Sequence, residues 1–245
     1  MKRLTILFIL CFAVFPLFYS CTFSPYNVVK GNHQVINEEI AIGDYDEIAL
    51  NLPADIIYRQ ISQEKPFLQV SVDENLWQWL DISVQNNRLV VKSKENANLQ
   101  PTRFVIYTNS RSLSNVSITG SGDVLLEKAV NARDMKISVT GSGDLKTDSL
   151  YCENLEANIT GSGDIHLEGV ATNAHYRITG SGDINAFDYF VENLNCQVSG
   201  SGDIQAYVDK KLFARVSGSG DIHYKGNPES VDTKVSGSGT IQHMN

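Results

Sequence analysis

The stretch "TGSGD" (Thr140–Asp144) decides how this chain is read, because it does not stand alone. It returns at Thr160–Asp164 and Thr179–Asp183, and with Ser in place of Thr at Ser199–Asp203 and Ser217–Asp221. Counting every copy by its first glycine gives Gly120, Gly141, Gly161, Gly180, Gly200, Gly218 and Gly237, the last copy ending in Thr240 instead of Asp. The spacings are 21, 20, 19, 20, 18 and 19 residues, a period that belongs to stacked repeat architectures.

Alignment on the first glycine sorts the neighbouring residues into columns. Two residues before it stand Ile118, Val139, Ile159, Ile178, Val198, Val216 and Val235, all β-branched. Four after it stand Val124, Leu145, Ile165, Ile184, Ile204, Ile222 and Ile241, all apolar. The positions between are polar: Ser117, Ser138, Asn158, Arg177, Gln197, Arg215 and Lys234 three before, and always Thr or Ser one before. This period of two is the mark of a half-buried strand, and β-branched side chains suit its pleated surface. The parity runs through the motif, which places both glycines inward and Ser and Asp outward. Each repeat therefore reads as a strand, a glycine-lined bend and a second strand. A looser connection, such as "EKAVNARD" or "FDYFVEN", absorbs the variation in length. Stacking one repeat on the next puts like residues about 4.8 Å apart. The expected fold is all-β, a right-handed parallel β-helix of about seven GSGD-type turns, preceded by a less regular β-rich part.

Residues 26–115 lack the motif but carry strand-like runs, "PFLQVSV", "DISVQNNRLVVKS" and "TRFVIYT", with "QNNR" as a hairpin turn and "ENLWQWL" as the one short helical candidate. Trp77 and Trp79 read as core packing or an end cap, with an exposed aromatic binding platform as the alternative. The raw end of a solenoid needs covering, so this region is expected to continue the stack with longer, less regular turns in one continuous domain. The organisation that follows is a signal peptide at 1–20, a lipidated linker at 21–44, and a β-helical domain at 45–245. That domain divides into an irregular part, 45–115, and the repeats, 116–245.

The N-terminus has its own chemistry. Lys2 and Arg3 precede the apolar run "LTILFILCFAVFPLF", which is short for a membrane span and interrupted by Pro16. "LFYSC" then ends in Cys21, the acceptor expected for lipidation and hence for anchoring to a membrane; plain secretion is the alternative. Loss of the signal removes two of 20 basic residues and none of 28 acidic ones, leaving a net charge of −10. No Lys/Arg cluster is present, so nucleic acid is excluded as a partner. Cys152 and Cys196 differ in repeat position and are expected as free thiols.

These features together resemble the bacterial family described as putative auto-transporter adhesin, head GIN domain. The resemblance covers roughly Tyr45 to Ile241 and rests on the repeated glycine turn, the β-rich lead-in and the signal with its cysteine. It implies a β-helical fold and an exported, envelope-associated protein, here an outer-membrane lipoprotein on either the surface or the periplasmic side.

The motif invites three functional readings. A phosphate cradle fails, because a strand follows and an Asp stands where phosphate would go. A calcium roll fails on spacing. What remains is a column of Asp123, Asp144, Asp164, Asp183, Asp203 and Asp221, whose mutual repulsion of under about 1 kcal/mol per neighbouring pair would be relieved by Ca²⁺ or by hydrogen bonds at the bend. The stacked Thr, Ser and Asp rows also offer a flat polar face for a glycan or protein ligand. Catalysis finds no nucleophile–base–acid constellation. His166 and His223 share a column but lie three turns apart, about 14 Å, and only Arg177 and Arg215, on the face of the Asp column, hint at a carbohydrate-active enzyme. The reading is a non-catalytic, lipid-anchored envelope protein with an adhesin-like surface. The alternative is a periplasmic scaffold without a ligand. The abrupt end after "IQHMN" exposes a strand edge that the tail or a second copy would cover.

Overall fold

The computed structural model describes residues 28–245. The repeats stack as parallel strands in register. β10 (Asn115–Gly120) pairs with β11 (Asp123–Gly141), and β12 (Leu145–Gly161), β13 (Ile165–Gly180), β14 (Ile184–Gly200) and β15 (Ile204–Gly218) follow in order. At the end β16 (Ile222–Lys225) lies on β15, β17 (Ser230–Gly237) also lies on β15, and β18 (Ile241–His243) lies on β16. Ile118 opposes Val139, which opposes Ile159, then Ile178, Val198, Val216 and Val235. The columns from Val124 and Val116 behave in the same way. Seven glycine corners enclose about six full turns of a β-solenoid. Side chains from Val116 to Ile222 in these columns are almost wholly buried, and each such aliphatic contributes about 1.5–3 kcal/mol by leaving water.

Two expectations are corrected here. The connections are not loose: β11 to β15 each run 15 to 19 residues from one corner almost to the next. Length differences are absorbed by bulges, as between Leu126 and Ala129 or Ala186 and Phe190. Each rung thus has three sides, in β12 a first one at Leu145–Thr147, a middle one at Leu150–Cys152 and a last one at Leu155–Thr160, alternately buried and exposed.

Large and small residues compensate within the columns. Fully buried Tyr176 stands between Ala157 and Cys196. Buried Tyr189 opposes Gly169, and its hydroxyl lies 3.2 Å from the Cys152 Sγ. The Tyr176 hydroxyl has no hydrogen-bond partner among the described residues. Cys152 and Cys196 are free thiols, and burial pushes Cys196 up to about 12.

The second correction concerns the N-terminal part, where stack order departs from chain order. β3 (Glu47–Leu50) and β4 (Asp55–Gln60) form the rung directly beneath β10 and β11. The rung beneath that is made by later residues, β7 (Arg88–Ser93) under β3 and β9 (Phe104–Ser110) under β4, again parallel. The next level runs backwards: β5 (Leu68–Asp73) is antiparallel to β9, and β6 (Leu80–Gln85) is antiparallel to β7. A 3-10 helix, Glu74–Trp79, joins those two strands. Asn86 and Asn87, both at positive φ, turn the β6–β7 hairpin. β2 (Val35–Ile40) then covers β5, and β1 (Val28–Lys30) pairs with β8 (Asn98–Gln100). Trp77 and Trp79 pack half-buried against this end of the core, so they belong to an end cap. A reversed rung closes the stack, because a parallel coil cannot continue from it. One cluster of buried apolar residues runs from Tyr45 to Ile222, and among the described residues no helix is long and apolar enough to cross a membrane. Residues 1–20, expected as a signal peptide, and Cys21, expected as the lipidation site, lie outside the described residues.

Candidate binding face and the aspartate ladder

The corner is built by contacts along the stack. At Gly161, where φ is +130°, an added Cβ would stand 2.3 Å from the carbonyl oxygen of Gly141; at Gly163 it would stand 2.0 Å from that of Gly143. The missing side chains would point at the preceding rung; a second glycine of a corner, such as Gly163, is buried as parity predicts, while a first, such as Gly161, is half-buried. This close approach lets the Gly141 carbonyl accept the N–H groups of both Ser162 (2.8 Å) and Gly163 (3.1 Å).

All six predicted aspartates fall in one column beside these corners. Each carboxylate accepts the backbone N–H of the next rung: Asp123 Oδ1 from Asp144, Asp144 from Asp164, Asp164 from Asp183 and Asp183 from Asp203, each at 2.8 Å. Asp203 accepts from Asp221 at 2.7 Å. At the last corner Thr240 donates both its N–H (2.6 Å) and its hydroxyl (2.9 Å) to Asp221 Oδ1. Among the described residues no group of three or more His, Cys, Asp or Glu is disposed to hold a metal ion.

One member of the column escaped the sequence reading. The β3–β10 register sets Asn51-Leu52-Pro53-Ala54-Asp55 under Thr119–Asp123, with Asp55 opposite Asp123. Burial, and then Asp123, push the Asp55 carboxyl up. "NLPAD" is thus a rung without glycines, separated from its neighbour in the stack by the excursion through residues 61–114, so spacing alone did not reveal it.

The last side of each rung forms a flat polar face. Its outward rows are the Thr/Ser row, the row from Ser117 to Lys234, and a row of Asn115, Lys136, Glu156, His175, Asn195, Phe213 and Asp232. A shallow hollow on it is lined by Asp134, Lys136, Glu156 and His175, and a separate one by Arg177, Arg215 and Lys234. Glu156 accepts from Asn158 (2.7 Å) and pairs with Lys136 (3.1 Å); these contacts, Asn158 foremost, hold its carboxyl low against the effect of burial. Burial, and then the neighbouring Arg177, lower the His175 imidazole and favour its neutral form. Arg215 lies 3.8 Å over the Phe213 ring and donates to the Asp232 carboxylate at 2.8 Å. Arg177 and Arg215 share this face with one rung, that of Gln197, between them, a separation of about 10 Å. His166 and His223 do occupy one column three rungs apart, on a different side.

A second ladder borders the first hollow and was not anticipated. Asn154 donates to Asp134 (2.7 Å), Asn173 to Asn154 (2.9 Å) and Asn193 to Asn173 (3.1 Å). All four stand seven residues before a first glycine, so extending the glycine alignment further back would have found them.

A parallel β-solenoid with one capped end and a flat, polar, hydrogen-bonding face is a repeat scaffold that presents a surface. The family model described as "Putative auto-transporter adhesin, head GIN domain" matches residues 44–228, and the chain belongs to that family. Three solved crystal structures are similar to it. One from Bacteroides fragilis, called a putative adhesin, has 26% identity and a TM-score of 0.84 over 88% of this chain and 100% of its own. One from Parabacteroides merdae, also called a putative adhesin, has 32% identity and a TM-score of 0.72 over 89% and 100%. One from Parabacteroides distasonis, called a putative lipid binding protein, has 32% identity and a TM-score of 0.75 over the same shares. No curated protein matches the chain.

Proposed function

We propose that the protein is a non-catalytic binding module of the cell envelope, anchored through a lipid on Cys21 at the outer membrane, whose solenoid presents a surface to a glycan or protein ligand. The observation that carries this reading is the flat face, where outward polar rows repeat in register across the rungs and a hollow brings Lys136, Glu156 and His175 together, with a second hollow beside it at Arg177 and Arg215. Adhesin-like family membership supports it.

Beads coated with the purified protein should be retained on a panel of immobilised glycans and matrix proteins more strongly than bare beads. Retention no better than bare beads would favour the ligand-free periplasmic scaffold. The location has its own test. Cys21→Ala should move the protein from the detergent phase to the aqueous phase on partition, and protease shaving of intact cells should remove it if it faces outward.

A further inference from the structure

The middle side of the rungs carries a second surface unlike the flat face. The register sets Tyr151 opposite Val170, Val170 opposite Phe190 and Phe190 opposite Tyr207. Their side chains point outward: Tyr151 and Val170 are each 45% exposed and Phe190 50% exposed. The Phe190 and Tyr207 rings meet edge to face, with centroids 4.7 Å apart. Large side chains exposed on three consecutive rungs, with half-buried Tyr207 on the fourth, mark a contact surface.

What borders the column narrows the ligand. Two residues before and two after each member stands a hydrogen-bonding side chain: Ser149 and Glu153 about Tyr151, Glu168 and Thr172 about Val170, Asp188 and Glu192 about Phe190, Gln205 and Asp209 about Tyr207. Alternation along a strand puts these on the same outward side as the ring between them. Carboxylates only accept hydrogen bonds, so the ligand must bring donors along both edges and an apolar surface along the middle. An acidic polymer or an anionic headgroup is repelled. A peptide strand cannot add through its backbone, because these strands are already paired with a rung above and below. A polycation would find Glu153 and Glu192 already paired with Arg133 and Lys210, and it brings no apolar face for the middle of the column. A neutral sugar chain meets every requirement. Its axial C–H faces suit the negative faces of aromatic rings, its hydroxyls donate to the flanking carboxylates, and a rung spacing of about 4.8 Å is close to the advance per residue of an extended β-linked glycan.

We propose that the column Tyr151–Val170–Phe190–Tyr207, edged by Glu168, Asp188 and Asp209, is a binding site for a neutral, extended β-linked glycan lying along the rod. The proposal rests on the reading of the chain as a binding module and supplies a ligand class for it.

Affinity electrophoresis of the full protein through gels containing soluble β-glucan, xylan or, as an acidic control, alginate tests it. The expected result is retardation by a neutral polymer and none by alginate. Phe190→Ala and Tyr151→Ala should each weaken binding roughly fivefold to tenfold, the value of one aromatic stacking contact. Phe190→Trp should retain it, and Asp188→Asn should weaken it. These side chains are exposed, and circular dichroism checks that every variant is folded. Retardation that survives Phe190→Ala and Tyr151→Ala but is lost in Arg177→Ala with Arg215→Ala would overturn the proposal and leave the binding module standing on its flat face. Binding of polylysine instead of any neutral polymer, lost in Asp188→Asn, would assign the column to a cationic partner and overturn it as well. Retardation by no polymer, together with failure of the bead assay, would remove both readings.

Discussion

A methyl group added at Gly163 would meet the Gly143 carbonyl at 2.0 Å, whereas one added at Gly43 would meet nothing within 4 Å. The pair separates the cost of stacking from the general effect of losing a glycine. Gly163→Ala should destabilise the protein by about 3 kcal/mol or more, since backbone must move to admit it. Gly43→Ala should change stability by under about 1 kcal/mol, with the gain coming from the unfolded chain. Urea denaturation of the two variants measures the contrast. Tyr176 offers the opposite experiment. Its hydroxyl is buried without a partner, and such a group costs about 1–3 kcal/mol. Tyr176→Phe keeps the ring between Ala157 and Cys196 and should raise the melting temperature.

At the scale of elements, the corners and the cap are each held by carboxylates, for different reasons. In the Asp column each Oδ1 satisfies an N–H that the bend leaves without a strand partner. Asp164→Ala orphans the Asp183 amide and should cost about 1–2 kcal/mol. Asp164→Asn keeps an acceptor, removes one charge from a like-charged column and should cost under about 0.5 kcal/mol. If the hydrogen bonds account for the column, the melting temperature is the same in Ca²⁺ and in chelator; a rise with Ca²⁺ would show ion bridging between rungs. Asp73 works in the cap. It accepts from His33 N–H (2.8 Å), Thr102 N–H (2.7 Å) and Thr102 Oγ1 (2.6 Å), and so ties the N-terminal arm and the loop before β9 to β5. Gly31 passes so close that a Cβ would strike this carboxylate. Burial pushes the Asp73 carboxyl up, but the hydrogen bonds outweigh it and hold it below the ordinary range. A depressed folded-state value means stability that is fully present above the unfolded value of about 3.9 and lost as pH falls through the folded one. Asp73→Asn should therefore be less stable than the parent at pH 7, and the difference should shrink below pH 4 in parallel thermal melts.

For the whole molecule, much was legible wherever one glycine alignment holds. The strands on either side of each corner, the two inner apolar columns, the six-membered Asp column and the polar rows of the flat face all follow from counting outward a few residues. Legibility ended where bulges break the count. "EKAVNARD" looks like a loop because Lys128 sits at positive φ inside a shift of register, yet it continues a strand. Tyr151, Val170 and Phe190 all stand ten before a glycine, but Tyr207 stands eleven before, so their column closes only in three dimensions. The cap was illegible for another reason: Ile48 and Leu50 show strand parity, but nothing local says that residues 88–110 will slide beneath them. Long-range order of that kind is settled by pairing energies summed over many residues, not by any motif.

The ladders have a consequence for inheritance. The contacts that repeat along the stack, the Gly141 carbonyl accepting from Ser162, the Asp144 carboxylate from the Asp164 amide and the Asn154 side chain from Asn173, each join positions at a fixed offset in adjacent copies. A gene segment encoding one period can therefore be copied or lost in tandem, and each surviving neighbour still finds its partner. Rod length is in that sense a quantity that unequal recombination can adjust while cap and corner chemistry stay fixed. Duplicating residues 161–179 should give a folded protein, longer by about 5 Å, with a steeper dependence of unfolding on urea, a difference that scattering and denaturation together would detect.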